Sequence, residues 1–344
     1  MENTNFPGSG YIIATDYMPS DGKSDVSGAI QQLIDSNPNR TIYFPDGKYT
    51  LSAPILTPAH PEKSVAFRLS NYAVFQPSDD WSSDEALVRL GASHSANDIR
   101  TIGSNYSFTG GIIDGRGIAS GISIDGGRET IIRDVSIKHT RIGLHIKTGA
   151  NNRSSDADVY NVNITGTGKP DSVGVLLEGF DNTLSNMRIA DVQHGVILRS
   201  SGNMLRSIHP LYTCAYVDYE NSCGFWDLSG NNMYDFCYSD HFGIAYRNAP
   251  CISSTYHNCF CWWYAPRGES HTVFRADGSF NSLVSILRVG FHPEFTNNIL
   301  LSEEKPVGPG TFENVIVCTS QLKTDDHVPH MRNALFAQDQ LELS

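Results

Sequence analysis

Short apolar alternations recur along the chain, and glycine introduces most of them. From Gly174 the sequence reads GVLLEGFDNTLSNMRIADVQHGVILRS, so a nearly identical phrase returns at Gly195. Segments of the form Gly-apolar-x-apolar-x start at Gly121, Gly143, Gly174, Gly195 and Gly243, with an imperfect copy at Gly224. Taken in order, these six starts are 22, 31, 21, 29 and 19 residues apart. A second alternation follows each of the better copies, as in Val135–Ile137, Val162–Ile164 and Met187–Ile189. Alternation places every second side chain on the same face, which is the signature of a strand. Gly, Asn and Asp between the pieces supply turns and positive φ. The strands are too short for a hairpin sandwich, and two-residue hairpin signals are few. A period near 20 residues without helical patterning predicts coils stacked in parallel, each about 4.8 Å above the last. The predicted fold is all-β, a single-stranded right-handed parallel β-helix. A leucine-rich repeat is the competing solenoid, but its Leu-x-x-Leu-x-Leu signature is absent.

The ends of the stack need lids. In DVSGAIQQLIDSNPN, residues Ile30, Leu33 and Ile34 share one helical face, Asp25 is the expected N-cap and Asn37-Pro38 the stop. This predicts a capping helix over residues 24–37. One β-helix domain is expected over residues 1–322, with 323–344 as a C-terminal cap, either a short helix or a loose tail.

Residues 16–55, DYMPSDGKSDVSGAIQQLIDSNPNRTIYFPDGKYTLSAPI, resemble the N-terminal signature of the pectate-lyase-like β-helix superfamily. GGIIDGRGIASGISIDGGRETIIRDVSI, from Gly110 to Ile137, is similar to that superfamily's central Ile-Asp-Gly-x-Gly and the rungs after it. The resemblance implies the right-handed β-helix fold over roughly residues 10–250. It implies relatives that are polysaccharide lyases, glycoside hydrolases, tailspike depolymerases, uronate epimerases or fructan-converting enzymes, many of them homotrimers. The polygalacturonase motifs and the Asp-Pro-His-Asp of alginate epimerases are absent, so no catalytic residue is carried over by motif.

Composition narrows the partners. The formal charge is -12 with no basic run, so nucleic acid and anionic membrane surfaces are poor partners. No apolar stretch is long enough for a spanning helix. The first residues have no cationic start followed by an apolar core. A cytoplasmic location is expected unless a leader has been removed or export is non-classical. Seven cysteines without zinc-type spacing read as reduced, buried thiols. No dense Asp run suggests Ca²⁺, so neither metal nor cofactor is expected.

Function has to be read from side-chain clusters. The fifth positions of the repeat starts are Asp125, Lys147, Glu178, Arg199 and Arg247. Alternating charge on neighbouring rungs predicts an ion-pair ladder, with a substrate groove as the alternative. Asp114 reads as a turn carboxylate. After Leu211 the chain becomes rich in Tyr, Trp, His, Asp and Arg, which suits a sugar-stacking platform, an interior aromatic stack or a subunit contact. The candidate sugar-binding side chains are Trp226, Tyr238, Trp262, Trp263, Tyr264, Arg267 and Arg247. Glycoside hydrolysis uses two carboxyl groups about 5–9.5 Å apart, a spacing available to carboxylates on neighbouring rungs. The candidate catalytic residues are Asp235, Asp240, His241, Asp191, Glu269 and His271, with Asp218 and Glu220 in reserve. Asp191 is expected one rung below Asp240. The expected partner is a poly- or oligosaccharide and the expected activity glycoside hydrolysis. A uronate lyase using a Lys, Arg, His or Tyr base is the alternative, as is a tailspike-like protein that binds glycan without cleaving it.

Overall fold

The computed structural model describes residues 10–58, 63–91, 106–126, 129–148, 155–213, 218–250, 252–265, 268, 270–292, 294, 297–304, 309–318 and 331–337. Two sheets account for the strands, one of ten and one of twenty. The ten-stranded sheet, sheet one, runs in chain order from Ile55–Leu56 to Asn298–Glu303, each strand pairing parallel with the next. The twenty-stranded sheet contains two parallel columns. Column two includes Ile131–Arg133 and Asp158–Tyr160, and column three includes Ser136–Thr140 and Asn163–Gly166. From Thr183–Ala190 upward one long strand often serves both columns in a rung. Each circuit of the chain thus passes sheet one, column two and column three before rising one rung, which is the predicted parallel β-helix.

The repeated glycines have a packing reason. Gly121, Gly143, Gly174, Gly195 and Gly224 lie in register in sheet one. A Cβ on Gly174 would meet Ile189 Cγ2 at 2.3 Å and the Gly195 carbonyl oxygen at 2.5 Å. No side chain fits there without moving backbone, so the repeat is enforced by close approach. In the next rung the register partner is Ala245, not Gly243, because Phe225 pairs with Tyr246. The start at Gly243 is therefore two residues out of phase. For the same reason Arg247 stands in the Trp226 column rather than in the charge ladder. The ladder itself forms in separate pieces. Lys147 Nζ lies 3.3 Å from Asp125 and Arg199 3.0 Å from Glu178, whereas Lys147 turns to Glu85 and Glu178 to His145. Asp114 accepts the Arg116 N–H at 3.0 Å, the expected turn role, and also faces His139.

The interior is apolar and ring-rich. Phe225, Tyr246 and Phe274 stack across successive rungs at 5.2 and 5.0 Å, and Tyr234 lies on Tyr256 at 4.4 Å. Parallel in-register rungs force like positions over one another, so rings that share a column stack. A buried ladder lines the turn from sheet one into column two. Asn182 Nδ2 donates to Asn203 Oδ1 at 3.0 Å, and Asn203 Nδ2 to Asn232 Oδ1 at 3.1 Å. Ser254 and Ser282 continue it by accepting the N–H groups of Asn232 and Ser254. The thiols of Cys223, Cys237, Cys259 and Cys261 are free and buried, and burial raises the pKa of each.

The capping helix spans Ser27–Ser36 and buries Ile30, Leu33 and Ile34. Val26 occupies the N-cap, and Asp25, one residue earlier, accepts the Ser27 N–H at 3.0 Å. Burial works to raise the Asp25 pKa, but hydrogen bonds from Ser27 and Ser52 outweigh it and hold it at about 2. At the other end the strand Met331–Ala337 pairs parallel with Thr311–Cys318. The stack thus continues into the stretch read from sequence as a cap or tail. Among the described residues no helix is long and apolar enough to cross a membrane.

Candidate functional site

Along the groove, columns two and three meet at a one-residue bend with positive φ on six successive rungs. The bend residues are Asn186 (φ 52), Ser207 (φ 53), Phe236 (φ 55), Asn258 (φ 51), Ile286 (φ 59) and Asn314 (φ 55). Asn tolerates this region, whereas a β-branched residue there is an outlier. Phe236 and Ile286 are 60% and 46% exposed, so burial does not compensate their strain. Two residues further along each rung, Arg188, His209, Tyr238, Phe260, Arg288 and Ile316 point outward in one column. The two rows of side chains line a groove of about 590 Å³ along the stack.

The groove floor is aromatic. His209 stacks on Tyr238 at 4.1 Å, Tyr238 meets Phe260 at 4.6 Å, and Phe260 meets Trp262 at 5.8 Å. The Arg288 guanidinium stands 5.9 Å from the Phe260 ring. Trp262 is half-buried because it lies over Gly290 of the next rung, where a Cβ would come within 1.9 Å of the indole. Rigid strands thus present flat, partly exposed rings, with His209, Tyr238 and Phe260 on successive rungs and Trp262 two residues beyond Phe260 on the same strand.

Asp240 borders this row. Its Oδ1 lies 2.9 Å from His241 Nδ1, and its Oδ2 lies 3.5 Å from His209 Nε2, an ion-pair separation without an aligned hydrogen bond. His241 is fully buried, and its Nε2 accepts the Ala265 N–H at 3.1 Å. That bond places the imidazole proton on Nδ1, so a neutral His241 donates to Asp240. Burial opposes the charge on Asp240, but its contacts with His209, His241 and Tyr238 prevail and hold its pKa at about 2. Burial and the Asp240 charge push the Tyr238 hydroxyl well above its ordinary value. Asp240 is therefore an anion near neutral pH, suited to accept a proton or stabilise positive charge and unsuited to donate a proton.

The other sequence candidates lie elsewhere. Asp235 is on the outer face of column two, paired with His257 Nδ1 at 3.0 Å and Arg206 at 3.6 Å. Asp235 and Asp240 thus share no partner, and each has a histidine of its own. Asp191 is two rungs below and in register with His241, not one rung below Asp240, because Ala190 pairs with Leu211 and Leu211 with Asp240. Its carboxylate accepts the Thr213 hydroxyl. Trp263 and His271 belong to the interior. Both are fully buried, their rings stack at 5.3 Å, and Trp263 Nε1 donates to the Phe242 carbonyl at 2.8 Å. They cannot meet a sugar, because adjacent positions on a strand face opposite sides and Trp262 already takes the outer one. Trp226 and Arg247 are on the outer face of sheet one, with the guanidinium 4.2 Å above the indole and Arg247 Nε bonded to Asp277 at 2.8 Å. Tyr264 is exposed and packs on His241 at 3.6 Å. Glu220 accepts the Ser270 hydroxyl at 2.9 Å, and Asp218 the Asn221 amide. Arg267 and Glu269 lie outside the described residues.

Sequence reasoning missed His209, Phe236, Phe260, Ile286 and the two arginines. His209 precedes the point where composition changes. Aligning every rung on its bend residue would have exposed Phe236 and Ile286 as apolar intrusions into an Asn-rich column. Among the described residues no group of three or more His, Cys, Asp or Glu side chains could hold a metal ion.

No family model and no curated protein matches the chain. Solved structures do. The tailspike of E. coli bacteriophage HK620, solved with a pentasaccharide, matches at a TM-score of 0.72 and 9% identity, over 95% of this chain and 67% of its own. The Streptococcus pneumoniae surface adhesin PfbA matches at 0.57 and 12% identity, over 95% of this chain and 97% of its own. The A-module of an Azotobacter vinelandii mannuronan C-5 epimerase matches at 0.53 and 13% identity, over 95% of this chain and all of its own. Identity this low speaks for the fold alone. With the rung register and the three-column circuit, these likenesses identify the fold as a right-handed parallel β-helix.

Proposed function

We propose that the protein binds an extended glycan along the groove of column three and hydrolyses it there, with Asp240 as the anionic group beside the reacting sugar. The observation that carries this reading is the row His209–Tyr238–Phe260–Trp262, which ends at a buried, ionised carboxylate. Sugar rings stack their apolar faces on such side chains. Strained apolar residues at the bend, kept where Asn would relax the backbone, are the kind of compromise found at functional sites. In hydrolysis the proton must come from another group. His209, in the groove and 3.5 Å from Asp240, is placed to carry it. This assignment replaces the carboxylate pair Asp235 and Asp240, which stand on different columns.

A binding-only role has one observation in its favour. His241 is locked by Ala265 on one side and Asp240 on the other, an arrangement that a purely structural unit would also show. A panel of plant, bacterial and fructan polysaccharides, read by reducing ends and by absorbance near 235 nm, separates the cases. Hydrolysis releases reducing ends without the 235 nm band, and Asp240→Asn must abolish that release while binding persists. A 235 nm product would establish elimination instead. Binding without either signal would establish an adhesin, and binding unaffected by Tyr238→Ala and Trp262→Ala would remove the groove from the reading.

A further inference from the structure

The outer face of sheet one holds a second cavity, on rungs well below the groove. It measures about 230 Å³, and its lining includes Ser120, Ser123, Ile142, His145 and Lys147. Ser120 and Ser123 are 6% and 0% exposed, and neither hydroxyl oxygen has a hydrogen-bond partner. Ser123 stands in register between Arg89 and His145, and Ser120 beside Ala86. A buried hydroxyl left unmatched costs roughly 1–3 kcal/mol, so two of them facing one cavity need an explanation.

The charges around the cavity are paired, Arg141 loosely with the exposed Asp84 at 3.8 Å and the others closely. Lys147 Nζ lies 2.7 Å from Glu85 and 3.3 Å from Asp125, and His145 Nε2 2.9 Å from Glu178. A ligand entering here meets paired charges, two idle hydroxyls and the apolar flank of Ile142. This combination favours a molecule with many hydroxyl groups, no net charge and one apolar face. The volume falls below the roughly 300–1,000 Å³ of pockets for drug-sized ligands, which limits the occupant to about one ring.

We propose that this cavity is a second carbohydrate site, taking a single neutral hexose, with Ser120 and Ser123 bonding its hydroxyls and Ile142 meeting its ring face. It does not depend on the reading of the groove, since the two sites lie on different faces and share no residue.

The test is calorimetry and ligand-observed NMR on the full chain with glucose, galactose, mannose and N-acetylglucosamine, with glucuronate as the charged comparison. Expected is saturable binding of at least one neutral sugar, weaker binding of glucuronate, and no change on Tyr238→Ala in the groove. Ser123→Ala should weaken the binding about three- to tenfold, the worth of one hydrogen bond. Ser120→Leu, which fills the cavity, should abolish it. Should Ser120→Leu fail to fold, Ser123→Ala and a crystal soaked with the bound sugar decide the matter. The proposal is overturned if no neutral sugar saturates, if binding survives both serine variants, if Tyr238→Ala removes it, or if the soaked crystal shows only water over the serines.

Discussion

Ile286→Asn should stabilise the protein and weaken its hold on glycan. Ile286 sits at φ 59 with its side chain 46% exposed. An L-residue in this region carries roughly 1–2 kcal/mol of strain, and a β-branched one has no local hydrogen bond to offset it. Asn is more at ease there, and its register neighbours are Asn258 and Asn314. Lower in the same column, Asn186 Nδ2 donates to Asn161 Oδ1 at 3.2 Å, and Asn161 Nδ2 to Asp134 Oδ1 at 2.7 Å. An Asn at 286 could join one such bond, worth about 0.5 kcal/mol at an exposed site. Little apolar burial is lost, because nearly half of the isoleucine faces water. The net expectation is a gain of about 1–2 kcal/mol, with weaker glycan binding because an apolar groove residue is gone. Guanidinium denaturation followed by far-UV circular dichroism measures the first effect, and titration with the bound polysaccharide the second. A lower midpoint for the variant would refute the strain argument. A higher midpoint with unchanged affinity would show that Ile286 is strained for no reason connected with the groove.

Four further outcomes follow from the same geometry. The Asp240 pKa is held at about 2 against an ordinary 3.8, so its contacts stabilise the fold by about 2 kcal/mol above pH 3.8, and this contribution is lost as pH falls through 2. Hydrogen exchange on the Tyr238–Asp240 rung should therefore show lost protection in Asp240→Asn at pH 7 and a shrinking difference toward pH 2; equal protection at pH 7 would contradict the assigned contacts. Trp263→Ala should cost about 3–5 kcal/mol in a denaturant titration, whereas Trp262→Ala should spare most stability and reduce polysaccharide affinity; the reverse ranking would mean that inside and outside have been exchanged. Gly174→Ala should destabilise the fold by about 1–3 kcal/mol, seen as a lower denaturation midpoint, because its methyl group would overlap Ile189 and the Gly195 carbonyl; a neutral result would show that the rungs can spread. Asn203→Ala should leave the Asn182 backbone N–H without its acceptor and the Asn182 amide with the Gly179 carbonyl alone, at a cost of roughly 1–3 kcal/mol by thermal melting; an unchanged melting temperature would argue that water enters the ladder.

Different parts of the site were legible to different degrees. Tyr238, Trp262 and Asp240 stood out because their region is dense in rings and acids. The same density pointed to Trp263 and His271, which composition cannot tell from Trp262, since inside and outside depend on a one-residue step along a strand. Matching the starts at Gly195 and Gly243 sets Asp191 one rung below Asp240, although the imperfect start at Gly224 marks a further rung, that of Leu211 and Tyr212, between them. Gly243 matched the repeat in letters but not in register.

The stack of coils was written in the sequence. A glycine returning every twenty or so residues, followed by short alternations and Asn-rich turns, leaves few other ways to bury the apolar positions of so many short strands. The capping helix was equally plain, since its apolar residues share one helical face. Only the folded chain decided which side chains meet across rungs. His209 and Tyr238 are 29 residues apart and touch because Leu211 pairs with Asp240, which sets the two rings over one another in the same column. Periodicity is a local property, carried by neighbours along the chain. Register sums every insertion below it, and a groove built from six rungs exists only after that sum has been taken.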